Sequence, residues 1–104
     1  MEYDSCMVKI LRTAEFDRWL DSLKDRLAKS GVQVRIDRMA KGNAGDVRPV
    51  GEGVSEMRIH VGAGYRVYFT RMGMTVVLLL CGGNKSSQNR DIERALEMAQ
   101  ILKE

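Results

Sequence analysis

One histidine and two cysteines are all the imidazole and thiol that this chain of 104 residues contains. No HExxH, CxxC or paired His/Cys spacing occurs, so no metal site and no cofactor is expected. Cys6 lies in a polar tail and Cys81 ends an apolar run. Neither position suggests a disulfide framework, which points to a reducing cytosol. The longest apolar run, Thr75 to Cys81, is far too short to span a bilayer. Residues 1–6 are acidic and polar and lack the basic-then-apolar order of a secretory signal. Gly82-Gly83 has no GK[ST] behind it, which argues against a nucleotide-binding P-loop. Repeats, linkers and low-complexity segments are missing too. What is left is one cytoplasmic domain over residues 7–104, with residues 1–6 as an extension that adds little to the fold.

What the chain does have is an ordinary globular balance, 44% hydrophobic and 30% charged, with a formal net charge of +3. Mild basicity is compatible with a nucleic-acid partner without requiring one. Of the 17 cationic residues, 11 are arginine, whose planar fork suits phosphate or carboxylate better than lysine does.

Periodicity gives the order of elements. Met7 to Leu11 reads as a short strand. Thr13 can cap a helix from Ala14 to about Leu23, with Phe16, Trp19, Leu20, Leu23 and Leu27 at helical spacing. A second helix places Ala28, Val32, Ile36 and Met39 on one face. Gly31 weakens it by up to roughly 1 kcal/mol relative to alanine, and Gly42-Asn43 ends it. A break near Lys24 to Arg26 makes a hairpin of the two, although one bent helix fits the same pattern. Asp46 to Val50 can be a strand. Ser55 to Val61 and Tyr65 to Arg71 alternate apolar and polar. Thr75 to Cys81 is apolar on both faces, as in a strand covered on both sides, and Gly82-Gly83-Asn84 is expected to end it. Ser86 or Ser87 can cap a last helix, whose stripe is Ile92, Ala95, Leu96, Ala99 and Leu102. The expected class is therefore α+β: an N-terminal strand and a helical hairpin packed on a mostly antiparallel sheet, with a C-terminal helix.

Alternation also sorts the charges. Arg58 and His60 lie opposite the set Met57, Ile59, Val61, and Arg66 and Tyr68 lie opposite Tyr65, Val67, Phe69. Short turns make the two polar rows cross-strand neighbours, and Lys85 follows the next strand. Such a face suits RNA: guanidinium groups neutralise phosphate and tyrosine can stack on an unpaired base. Attack by an RNA 2′-hydroxyl on its own phosphate needs no metal when preorganised cations stabilise the transition state. Lys85, Tyr68 or His60 are then the candidates for moving protons. The same pattern allows blander readings, with Arg58 and Arg66 as solvated residues paired with Glu52 or Glu56 and His60 as a surface residue.

Three pieces of the chain together resemble a known family. Lys41 to Ile59 (KGNAGDVRPVGEGVSEMRI), Gly62 to Phe69 (GAGYRVYF) and Leu78 to Ile92 (LLLCGGNKSSQNRDI) are similar, in order and spacing, to the phage Gp49-like, HigB-type addiction-module killer proteins of the RelE/ParE superfamily. With the helical hairpin, the resemblance covers about residues 7–102. It implies a RelE/ParE-like fold and the toxin of a bacterial type II toxin–antitoxin pair. It further implies an endoribonuclease that cleaves mRNA, in many relatives on the ribosome, and a cognate antitoxin, commonly with a helix-turn-helix domain and encoded next door. Carried over residue by residue, Arg58, Arg66, Lys85 and Tyr68 become the catalytic candidates and His60, Gln88 and Arg90 the RNA-contacting ones. The superfamily also holds ParE-type toxins that inhibit DNA gyrase, and a degenerate, non-catalytic member is a third reading. Two departures stand out: Gly31 replaces a better helix former, and Asn84 precedes Lys85 where aspartate is common.

Overall fold

The computed structural model describes residues 7–103; the expected extension, residues 1–6, lies outside them. Five strands and three helices follow in the order β1 (Lys9–Arg12), α1 (Ala14–Ser22), α2 (Arg26–Ala40), β2 (Val47–Gly51), β3 (Val54–Ile59), β4 (Tyr65–Arg71), β5 (Val76–Asn84) and α3 (Gln88–Lys103). A 3-10 turn, Lys85–Ser87, joins β5 to α3. The strands form one sheet in the order β1-β5-β4-β3-β2. β1 runs parallel to β5, and the other pairs are antiparallel. The fold is mixed α+β, as the periodicity predicts. No helix among the described residues is long and apolar enough to cross a membrane.

The two helices of the hairpin are separated by real caps. Phe16 N–H donates to Thr13 Oγ1 at 2.9 Å, and the Thr13 hydroxyl donates to Leu80 O at 2.7 Å. The cap thus also ties α1 to the sheet. Leu27 and Ala28 N–H donate to the Asp25 carboxylate, which starts α2. Residues 23–25 leave the helical path, so Leu27 falls in the first turn of a new helix and is 76% exposed. It does not extend the stripe of α1. Gly31 faces Val61 and Ile59, where a Cβ would come within 3.3 and 3.4 Å of their methyl groups. The expected weak spot of α2 is thus also where that helix lies close to the sheet.

The sheet has a core on each face. The helical hairpin covers Met57, Ile59, Val67, Phe69, Val77 and Leu79. Helix α3 lays Ala95 and Ala99 over Val54, Tyr68, Leu78, Leu80 and Cys81. Ile92 and Leu96 are partly buried there, whereas Leu102 lies at the free end of α3 and is 52% exposed. A bulge between β4 and β5 lets Tyr68 pair with Cys81 and Phe69 with Leu79, so Leu80 is the extra residue. Leu80 and Cys81 consequently both join the α3 side.

Gly82, Gly83 and Asn84, expected as a stop, continue β5 and pair with Val67, Arg66 and Tyr65. The two glycines are there for space. A Cβ on Gly82 would lie 2.3 Å from the Trp19 ring, and one on Gly83 would lie 1.7 Å from an Asp91 carboxylate oxygen. Each face of the strand thus receives a side chain that any larger residue would exclude. Replacing Gly82 by alanine should cost about 1–3 kcal/mol through overpacking. The expected drop in melting temperature is several degrees, since about 1 kcal/mol corresponds to roughly 4–8 °C in a domain of this size. A variant melting with the natural chain would refute this account of Gly82.

Candidate functional site

Strands β3 and β4 pair so that Arg58 faces Arg66 and Glu56 faces Tyr68, while β2 brings Arg48 opposite Glu56. Two cross-strand rows result, on the face that α3 partly covers. Arginines directly opposite one another repel. Glu56 relieves that repulsion: its side chain is fully buried, yet it lies 3.2 Å from Nε of Arg48, 3.2 Å from Nε of Arg58 and 3.5 Å from Nε of Arg66. The Tyr68 hydroxyl donates to it at 3.1 Å and Gln88 Nε2 at 2.8 Å. Burial alone would raise the Glu56 carboxyl. The hydrogen bonds from Gln88, Arg58 and Tyr68, with the charge of Arg66, outweigh burial and hold it below its ordinary value.

Arg58 and Arg66 turn from this carboxylate toward an open depression of about 460 Å³ at the end of the sheet. Arg58, His60, Arg66, Lys85 and the turn 61–64 line it. Its volume falls within the range of small-ligand sites. Arg66 is 9% exposed, and its Nη1 donates to Gly64 O at 2.8 Å. Gly64 has φ 75°, in the left-handed region, which lets its carbonyl turn back onto Arg66. Lys85 is exposed and packs beside the same turn: a Cβ on Gly64 would lie 3.6 Å from Lys85 Cβ. Asn84 fixes where Lys85 starts, because its side chain accepts from Ser86 N–H at 2.9 Å and its own N–H donates to Ser87 Oγ at 3.2 Å. Asparagine therefore caps this turn as aspartate would, without the charge. Asn84 is the cap of this turn, and Ser87 completes its capping box.

The sequence candidates are not equivalent in space. Arg58, Arg66, Lys85 and His60 converge on one depression. Tyr68 does not: α3 and the sheet bury it completely, and its hydroxyl is committed to Glu56. Burial and the neighbouring Glu56 charge push its phenol well above the usual tyrosine value. It can neither stack on a base nor supply a phenolate, so its role is to hold Glu56. Gln88 turns its Nε2 onto Glu56 and also lines the neighbouring depression that holds Arg90. Arg90 lies exposed on a neighbouring depression of about 300 Å³ that it shares with Lys85, Ser86 and Asn89. His60 is exposed, and its Nε2 lies 2.6 Å from Asp46 Oδ2.

Two residues escaped the sequence reading. Glu56 was visible only as a possible ion-pair partner; a carboxylate in the middle of a polar row on a central strand was the signal. Arg35 gave none. From α2 it donates to Ala44 O at 2.9 Å and to Arg58 O, fastening the loop before β2 against β3 beneath the site.

Glu56→Gln should destabilise the fold by about 3 kcal/mol at neutral pH, because it leaves the buried Arg66 guanidinium without its counter-charge. The pH dependence has a definite sign. A carboxyl held below its ordinary value of 4.5 contributes fully above that pH and loses its contribution as pH falls through the lower folded value. The stability gap between natural chain and variant should therefore be full at pH 7 and close on acidification below 4.5. Denaturant titrations at several pH values check this, and a gap independent of pH would refute it.

No family model matches the chain. A protein of Haemophilus influenzae strain Rd, described as uncharacterized, is 45% identical to it over 95 residues, spanning 91% of this chain and 96% of that protein. At that identity over nearly the full length of both, the chain belongs to the same family as the Haemophilus influenzae protein.

Proposed function

We propose that this protein is the toxin of a bacterial type II toxin–antitoxin pair, a cytoplasmic mRNA endoribonuclease with a RelE/ParE-like, HigB-type fold. The observation that carries the reading is the convergence of Arg58, Arg66 and Lys85 on one open depression. The order of strand, helical hairpin, antiparallel strands and last helix agrees with the fold that the sequence resemblance implies. In-line attack of a 2′-hydroxyl on its own phosphodiester spreads negative charge over the phosphate oxygens. Guanidinium groups anchored before the substrate arrives stabilise that charge without reorganising. Arg66, held by Glu56 and Gly64, is anchored in this way. Arg58 shares the carboxylate and is more exposed. Lys85 adds a mobile ammonium at the mouth, and Arg90 continues the positive track along the first turn of α3. This division of labour asks no metal to act.

The cognate antitoxin, with a helix-turn-helix domain and a neighbouring gene, is the partner this reading requires. mRNA is the substrate, free or on the ribosome. Expression of the chain alone should arrest growth and cleave mRNA, and co-expression of the neighbouring gene should relieve both. Lys85→Ala is the informative variant because its side chain is exposed and the fold does not rest on it. It should lower cleavage by about 10²–10³-fold, the usual loss for one preorganised donor, and Arg66→Ala by at least as much. Full toxicity in the folded Arg66/Lys85 double variant would refute the site. Gyrase inhibition by a preparation that leaves RNA intact would refute the ribonuclease.

A further inference from the structure

We infer that His60 and Asp46 form a proton-transfer pair, with His60 taking the proton from the RNA 2′-hydroxyl and Asp46 acting as the positioning residue. The inference rests on the ribonuclease reading and names the base that reading leaves open. Its ground is geometric. His60 sits on the wall of the depression that Arg58, Arg66 and Lys85 also line. Its Nε2 lies 2.6 Å from Asp46 Oδ2. An ionised carboxylate only accepts hydrogen bonds, so Nε2 must carry the hydrogen and donate it. In the neutral ring that leaves the lone pair on Nδ1, where a base needs it. The hydrogen bond from His60 is also what chiefly holds the Asp46 carboxyl below its ordinary value, which favours its ionised form.

Asp46 is itself held in place. Its carbonyl accepts from Arg58 N–H at 3.0 Å, fixing the residue at the entry to β2. Arg35 of α2 stands behind it, with Nη2 3.5 Å from the same carbonyl. The charged groups around the depression are Asp46 and Arg35 on one side and Arg58, Arg66 and Lys85 on the other, with the Asp25 carboxylate against the turn at Gly62. Asp46 supplies the negative charge that favours the imidazolium. Tyr68, another of the sequence candidates for moving protons, is sealed under α3.

The step balances. The 2′-oxygen gives its proton to His60 Nδ1 and forms a bond to phosphorus. The bond from phosphorus to the 5′-oxygen breaks, and that oxygen takes a proton from the Lys85 ammonium. The products are a 2′,3′-cyclic phosphate and a free 5′-hydroxyl. His60 then returns a proton to solvent, and Lys85 recovers one.

The test is the pH dependence of single-turnover RNA cleavage by the full chain, with purified ribosomes present and absent. The natural chain should show an acid limb in its pH profile. His60→Gln should abolish that limb and slow cleavage at neutral pH by about 10²–10⁴-fold, the usual worth of a general base. Asp46→Asn should slow cleavage less and move the acid limb to lower pH, since it removes the carboxylate that favours the imidazolium. A purely structural role for Asp46 would not move the limb. Cleavage by the natural chain with an unchanged rate and acid limb in His60→Gln would overturn the pair and leave the ribonuclease standing. Absence of cleavage in the natural chain under both conditions would overturn both.

Discussion

The buried carboxylate of Glu56 is the contact on which the candidate site depends. Three arginines and one acid meet on the polar rows of β2, β3 and β4, and without the acid the facing guanidiniums of Arg58 and Arg66 would repel across the strands. Taking a carboxylate out of water costs several kcal/mol even after relaxation, and only close counter-charges with satisfied hydrogen bonds offset it. Tyr68 and Gln88 supply those further bonds. The contact with Arg58 is made through Nε, which turns the rest of that guanidinium away from the carboxylate. Three cations share one anion, so the cluster keeps a surplus of positive charge beside the depression. A surplus next to low-dielectric walls makes a field that attracts anions.

The other fold features serve this arrangement. Gln88 reaches Glu56 because α3 begins where it does, and α3 begins there because Asn84 caps the turn before it. β5 reaches Asn84 as a strand because Gly82 and Gly83 carry no side chains where Trp19 and Asp91 need the room. On the far side, Arg35 and Asp46 tie the entry of β2 to the backbone of Arg58. The cations thus hang on both helical layers, the hairpin through Arg35 and the last helix through Gln88.

Much of this was legible in the alternation of Ser55 to Val61 and Tyr65 to Arg71, which placed Arg58 and Arg66 on one face, and in the position of Lys85 just after the fifth strand. The parallel pairing of β1 with β5 left no local trace, since it joins residues more than sixty positions apart. Alternation gave Tyr68 its face correctly but not its cover: a polar face reads as solvent until a helix is known to lie over it. The same limit hid Glu56, whose burial depends on α3 as well as on its own strand. Gly82-Gly83 read as punctuation because glycine signals both turns and close approach, and only Trp19 and Asp91 distinguish the two. Leu27 and Leu102 fitted helical stripes that geometry ends early, one at the break after α1 and one at the free end of α3.

A cluster of this kind is a poor way to hold a sheet together. Apolar residues of similar volume in place of a buried ion cluster commonly leave a protein as stable or more so, and β3 and β4 already carry apolar residues on their other face. The elements agree with one another in pattern, capping and packing almost everywhere else. A local rule broken against that background marks a functional site better than a structural one. Arg66 makes the point most sharply: its Nε is buried without a hydrogen-bond partner while its Nη1 is fixed by Gly64. Glu56 supplies the counter-charge that holds Arg66 in that position, beside Arg58 and Lys85 on the depression.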